Sequence, residues 1–151
     1  MRSGPASLKL LHRQNHELCL TPQNVKEFWN ACTRPTDNNG LGISVTGTER
    51  HTLRLERYFT ILPDSALTYA AWRELVLKHQ VIGSKVHDAY LVAAMKAYAF
   101  RHILTFNTGD FKRYTDILCL DPGAVKQCSG ATYTGCTDSG PPFRPRKSLD
   151  R

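Results

Sequence analysis

Short apolar segments alternate with amphipathic helical stretches along most of this chain, and that order constrains the fold more than any other feature. It is the pattern of an α/β domain built on a parallel sheet. ELCL (17–20), TILP (60–63), HILTF (102–106) and DILCL (116–120) read as strands. Between them lie helices of recognisable amphipathic spacing. SLKLLHRQNH (7–16) forms the last turns of one. Thr21 and Pro22 then supply an N-cap and a first-turn proline for PQNVKEFWNACT, whose Val25, Phe28, Trp29 and Cys32 share a face that ends before Arg34 and Pro35. TDNNGLGIS is loop, and TGTERHTLRLERYF (46–59) is a basic helix with Leu53 and Leu55 among Arg50, Arg54 and Arg57. Residues 65–80 make a further helix through Trp72, Leu75 and Val76, and Gly83 with Ser84 breaks it before KVHDAYLVAAMKAYAF.

Length and charge set the outer bounds. The 151 residues suffice for one domain with a working core. A formal charge of +7 favours polyanionic partners such as RNA, DNA or an acidic protein surface. The five cysteines, Cys19, Cys32, Cys119, Cys128 and Cys136, are scattered without a CxxC pair, which argues against a disulfide framework or a structural zinc site and fits a reducing, cytoplasmic setting. Lys9, His12 and Arg13 interrupt the only early leucine cluster, and no window reaches the length of a membrane span. After Asp121 the periodicity is lost, and 14 of the last 30 residues are Gly, Pro, Ser or Thr. Residues 1–122 therefore read as one domain and 123–151 as a disordered tail.

Two acids stand out within this frame. On the helix from 85 to 99, Asp88 shares a face with Leu91, Val92, Met95 and Ala99, so a carboxylate lies among apolar side chains at the first turn. Complementing the helix dipole is one explanation. Convergence with Asp110 is the other, because HILTF ends directly before Asn107 and Asp110, and loops at the C-terminal ends of parallel strands line the ligand crevice of an open α/β sheet. His87 reads as surface or dipole chemistry, the three body cysteines as core, and Arg50, Arg54 and Arg57 either as a phosphate-binding ridge or as a solvated face. No GxGxxG, P-loop or GxSxG pattern occurs.

The run VHDAYLVAAMKAYAFRHILTFNTGDFKRY, with ELCLTPQNVKEFWNACTRP before it, resembles a PIN domain and more narrowly a VapC-type toxin endoribonuclease, over about residues 7–122. The motifs that carry the likeness are Glu27 in VKEFW, Asp88 in HDA, and Thr105, Asn107 and Asp110 in TFNTGDF. The resemblance implies a three-layer α/β/α sandwich. It implies Glu27, Asp88 and Asp110 as carboxylates that bind Mg²⁺ or Mn²⁺ to hydrolyse RNA, with Asn107 orienting the water or a ligand. It further implies Thr105 as loop support near the substrate, a cognate antitoxin as partner, and a homodimer; Arg50 and Arg54, from their helical spacing alone, are the candidate substrate contacts. Crowded carboxylates repel unless a hard cation neutralises them, which agrees with such a site.

The chain also departs from the family pattern. Relatives begin with a central strand ending in a metal-binding Asp, whereas MRSGPAS cannot supply it and no acid precedes Glu17. The expectation is an α/β domain lacking its central first strand and one ligand. A catalytically inactive remnant that at most binds RNA or an antitoxin is the alternative to an active ribonuclease.

Overall fold

The computed structural model describes residues 4–125. Its helices are α1 (Gly4–Arg13), α2 (Pro22–Thr33), α3 (Val45–Tyr58), α4 (Ala66–Lys78) and α5 (Lys85–Ala97), and its strands are β1 (Cys19–Leu20), β2 (Thr60–Ile61), β3 (His102–Leu104) and β4 (Leu118–Leu120). Two short 3₁₀ turns, Thr36–Asn38 and Thr108–Phe111, complete the order. Most of the expected tail, from residue 126 onward, lies outside the described residues.

The chain is α/β and its strands are parallel, as the alternation implies, but among the described residues they form two sheets and not one. β1 pairs with β2 through Cys19–Thr60 and Leu20–Ile61, and β3 pairs with β4 through His102–Leu118, Ile103–Cys119 and Leu104–Leu120. The strands are shorter than their apolar runs. Thr105 continues the ladder by one bond, its N–H donating to Leu120 O at 2.9 Å, yet Phe106 is already exposed at the surface.

Local chemistry explains the helix limits. The Thr21 hydroxyl accepts the Asn24 N–H, the Asn24 side chain accepts the Thr21 N–H at 2.9 Å, and Pro22 occupies the first turn, so α2 begins where its cap dictates. It stops at Arg34, against whose carbonyl Gly40 packs so closely that a Cβ there would lie 1.8 Å from the oxygen. Ser44 and Ser65 cap α3 and α4 in the same way as Thr21. The last helix ends at Ala97, short of the expected 99. Ala99 takes a left-handed backbone with φ of 58°, which closes the helix before β3 and removes that residue from the shared face.

One apolar cluster forms the core. Leu75, Val81, Ala89, Val92, Ala93, Met95, Phe111, Tyr114 and Ile117 pack together, with Trp72, Leu91, Ile103 and Cys119 against them. Small alanines at 89 and 93 let α5 lie close to α4, and Trp72 Nε1 donates to Val86 O at 3.1 Å, which fixes the first turn of α5. Cys32 is buried as expected, while Val25, Phe28 and Trp29 are half-buried, so that face of α2 is only partly covered. Tyr98 Oη donates to Pro63 O at 2.6 Å, and the Ser7 hydroxyl donates to Pro122 O, tying α1 to the chain beyond β4.

Candidate metal centre

The site forms where the first turn of α5 meets the loop after β3. Gly83, at φ of 60°, turns the chain out of the α4 region, and the backbone bonds Val86 N–H to Gly83 O and His87 N–H to Ser84 O wind the first turn. Ser84 gives no side-chain cap, so the positive end of the helix is served by Asp88, a fourth-position carboxylate. Across from it, β3 runs into a compact loop. The Asn107 N–H donates to the Thr105 hydroxyl at 3.1 Å, and the Asp110 N–H donates to Asn107 O at 3.1 Å. Phe111 then drops into the core at 3 % exposure, which anchors the turn and leaves the preceding Asp110 at its rim. The apolar run stops where it does because this loop holds one buried aromatic and presents one acid beside it.

A single ammonium joins the two acids. Lys85 Nζ lies 2.6 Å from Asp110 Oδ2 and 3.8 Å from Asp88 Oδ2. Burial holds the Asp88 carboxyl above the usual carboxylate range, and the negative charges of Asp110 and Glu27 push it the same way, while Lys85 and His87 oppose them. The hydrogen bond to Asp110 raises the Lys85 ammonium above its ordinary value. Buried Tyr114 stacks edge-on against His79 with ring centroids 5.0 Å apart, and its phenol is raised by burial and by the charge of Asp88.

Glu27 reaches this site by a different route. It is exposed on α2, as its angular position opposite the apolar face implies. The Gln23 side chain donates to Glu27 Oε1 at 2.8 Å and also to His87 O at 3.1 Å, which links α2 to the residue before Asp88. The structure thus brings Asp88 and Asp110 onto one cation and leaves Glu27 beside them, close enough to act on Asp88 electrostatically. Among the described residues, no group of three or more His, Cys, Asp or Glu side chains gathers closely enough to hold an ion. Asn107 is exposed and its side chain makes no cap bond. Arg50 and Arg54 lie exposed on α3, where Arg50 Nε donates to Thr46 O of its own helix at 3.5 Å, and no ion pair among the described residues joins them to the acids.

The donor set fits a small hard cation. Mg²⁺ takes oxygen ligands, keeps several waters, and is commonly held by only one or two carboxylates, which Asp88 and Asp110 provide. Residues that periodicity passes over are Lys85, Gln23 and Tyr114. A signal for the first existed, since a lysine opening a helix stands at the wrong end of the dipole. Gln23 lies four residues before Glu27, the spacing of a helical side-chain pair.

No curated protein and no solved structure matches the chain. The family model described as PIN domain matches residues 3–117. PIN domains are generally nucleases acting on RNA or other nucleic acid, typically with divalent metal ions and often as components of toxin–antitoxin systems. With the model covering most of the sequence, α/β architecture, and the paired acids at the ends of β3 and α5, the chain belongs to the PIN domain family.

Proposed function

We propose that the chain is a metal-dependent endoribonuclease of the VapC type, the toxin half of a toxin–antitoxin pair acting in the cytoplasm. The observation that carries this reading is the placement of Asp88 and Asp110 about one shared cation at the C-terminal end of β3. Asp88 and Asp110 hold Mg²⁺ or Mn²⁺, and Glu27 completes the acidic rim from α2. Bound there, such an ion would polarise the phosphodiester, lower the pKa of a coordinated water and offset charge on the departing oxygen. Thr105 fixes the loop through its bond to the Asn107 N–H, so that the Asn107 amide is free to orient water or substrate. The basic balance of the chain favours RNA as the polyanion, and Arg50 and Arg54 are proposed phosphate contacts. No helix among the described residues is long and apolar enough to cross a membrane. A homodimer and a cognate antitoxin remain part of this proposal through the family likeness alone.

A second reading has its own support. Among the described residues, the two separate strand pairs are what a sheet without its central strand would leave, and two acids, not three, share the Lys85 ammonium. Both features favour an inactive PIN-like protein that binds RNA or an antitoxin without cutting. Cleavage of a structured RNA by the purified chain, with Mg²⁺ or Mn²⁺ and with EDTA, separates the two. Metal-dependent cleavage that falls to background in Asp88→Asn supports the nuclease; equal cleavage by that variant removes the site assignment. Folded protein that leaves the RNA intact under all conditions supports the second reading.

A further inference from the structure

Lys85 is unusual in its position alone. It is the first residue of α5, where the helix dipole is positive, so an ammonium there is disfavoured by its own helix. A solvated lysine would turn away. Lys85 instead lies 2.6 Å from Asp110 on the 3₁₀ turn and 3.8 Å from Asp88, one charge serving two carboxylates from two elements. Among the described residues no other lysine or arginine forms an ion pair with either acid. The lysine side chain keeps 40 % of its surface exposed, and the carboxylates 26 % and 35 %, so the ammonium can leave without opening the core.

We infer that Lys85 is the resident counter-cation of the acid pair, and that a divalent ion loads by displacing its ammonium from Asp110 and Asp88. The inference rests on the metal-site reading above and deepens it. Without a cation, the two carboxylates would face each other beside a third, Glu27, and the loop carrying Asp110 would lose its ionic tie to α5, keeping only the packing of Phe111. Lys85 supplies that tie in the metal-free chain. A divalent ion supplies the same neutralisation with twice the charge and with oxygen coordination that the ammonium lacks. The two therefore compete for the same oxygens, and Lys85 sets the ion concentration at which the site fills.

The test is Mn²⁺ binding to the full chain by calorimetry, for the native protein, Lys85→Gln and Lys85→Arg. Removing the competing charge should tighten Mn²⁺ binding about fivefold, the scale expected for a partly exposed ion pair, while the arginine variant stays near native. In EDTA the glutamine variant should melt below the native chain, and Mn²⁺ should recover more of its stability than it adds to the native protein. A second measurement uses the native chain alone: saturating Mg²⁺ should shift the Lys85 side-chain ammonium signal in a nitrogen NMR spectrum. Native binding of Mn²⁺ with equal or weaker binding by Lys85→Gln overturns the inference and leaves the metal site standing. An ammonium signal unmoved at saturating Mg²⁺ overturns it as well, whatever the variants do. No Mn²⁺ binding by native or variant protein overturns the metal site itself, and the inference with it.

Discussion

The two strand pairs divide the molecule into halves that are held together by different means. Around β1 and β2, α2 packs on α3 and each touches its own strand; around β3 and β4, α4 packs on α5, and the 3₁₀ turn at Thr108–Phe111 bridges helix and strand. The apolar cluster belongs wholly to the second half. The first half buries Cys32 but also Thr48 and Thr52, with α3 presenting hydroxyls where α5 presents Ala89, Val92 and Ala93. Hydrogen bonds run from one part to the other: Gln23 to His87 O, Tyr98 to Pro63 O and Ser7 to Pro122 O. Both acids that share Lys85 come from the well-packed half, whereas Glu27 comes from the other. Two acids of the candidate site thus stand on the apolar cluster, and the third comes from α2, which Gln23 links to His87 O.

The largest expected effect is on the second half. Phe111→Ala would remove the aromatic that anchors the Asp110 turn and should cost about 3–5 kcal/mol in urea unfolding, since little around α5 can collapse into the space. Because Asp110 directly precedes that anchor, metal binding should weaken with stability. A loss below about 1 kcal/mol would show that the cluster is not the main source of stability and would erase the contrast between the halves.

A smaller change of opposite sign is expected on the first half. The Thr48 hydroxyl is fully buried and has no hydrogen-bond partner. Thr48→Val keeps the shape and removes a polar group left unsatisfied, so the variant should gain about 1 kcal/mol. Destabilisation in the same urea titration would mean that the hydroxyl is satisfied after all and that the first half is better packed than its buried threonines suggest.

Much of this architecture is legible in the sequence, and the division is physical. Where a boundary is set by local chemistry, the reading holds: Thr21, Asn24 and Pro22 determine the start of α2 from within four residues. Where it depends on a partner distant in the chain, it does not. Strand pairing into two sheets is decided by contacts between segments some 40 residues apart in the first half, and no periodicity within ELCL or TILP encodes it. The acids divide likewise. Asp88 and Asp110 are readable because each sits at the end of an apolar element, an unusual place for charge. Glu27 is not readable from its helix, which turns it to solvent, and only the family likeness singles it out. Lys85 falls between these cases, since its helix position is local information, yet its meaning needs Asp110, 25 residues later and across the loop.

The smallest effect, and the one that bears most directly on the site, concerns the charge of Asp88 without metal. Its carboxyl titrates above the ordinary value of 3.8, chiefly because it is partly buried and secondarily because Asp110 and Glu27 repel its negative form. A raised carboxyl pKa means that the folded state holds the proton more tightly than the unfolded state. Ionisation therefore destabilises the fold, in a penalty that begins as pH rises through 3.8, is complete above the folded pKa, and is absent below 3.8, where both states are protonated. Asn carries no charge at any of these pH values, and Lys85 keeps its closer bond to Asp110 in the variant. In EDTA at pH 7, Asp88→Asn should accordingly melt about 1–2 °C above the native chain, a gain of a few tenths of a kcal/mol for a domain of this size. The gain should shrink as the pH falls toward 3.8 and vanish below it, where both states are protonated. Mn²⁺ should reverse the order at pH 7, because the native site gains a cation that the amide cannot hold as well. A native chain that outlasts Asp88→Asn in EDTA at neutral pH would mean that the attraction of Lys85 outweighs burial at Asp88, and that the acid is a structural partner of the lysine before it is a ligand.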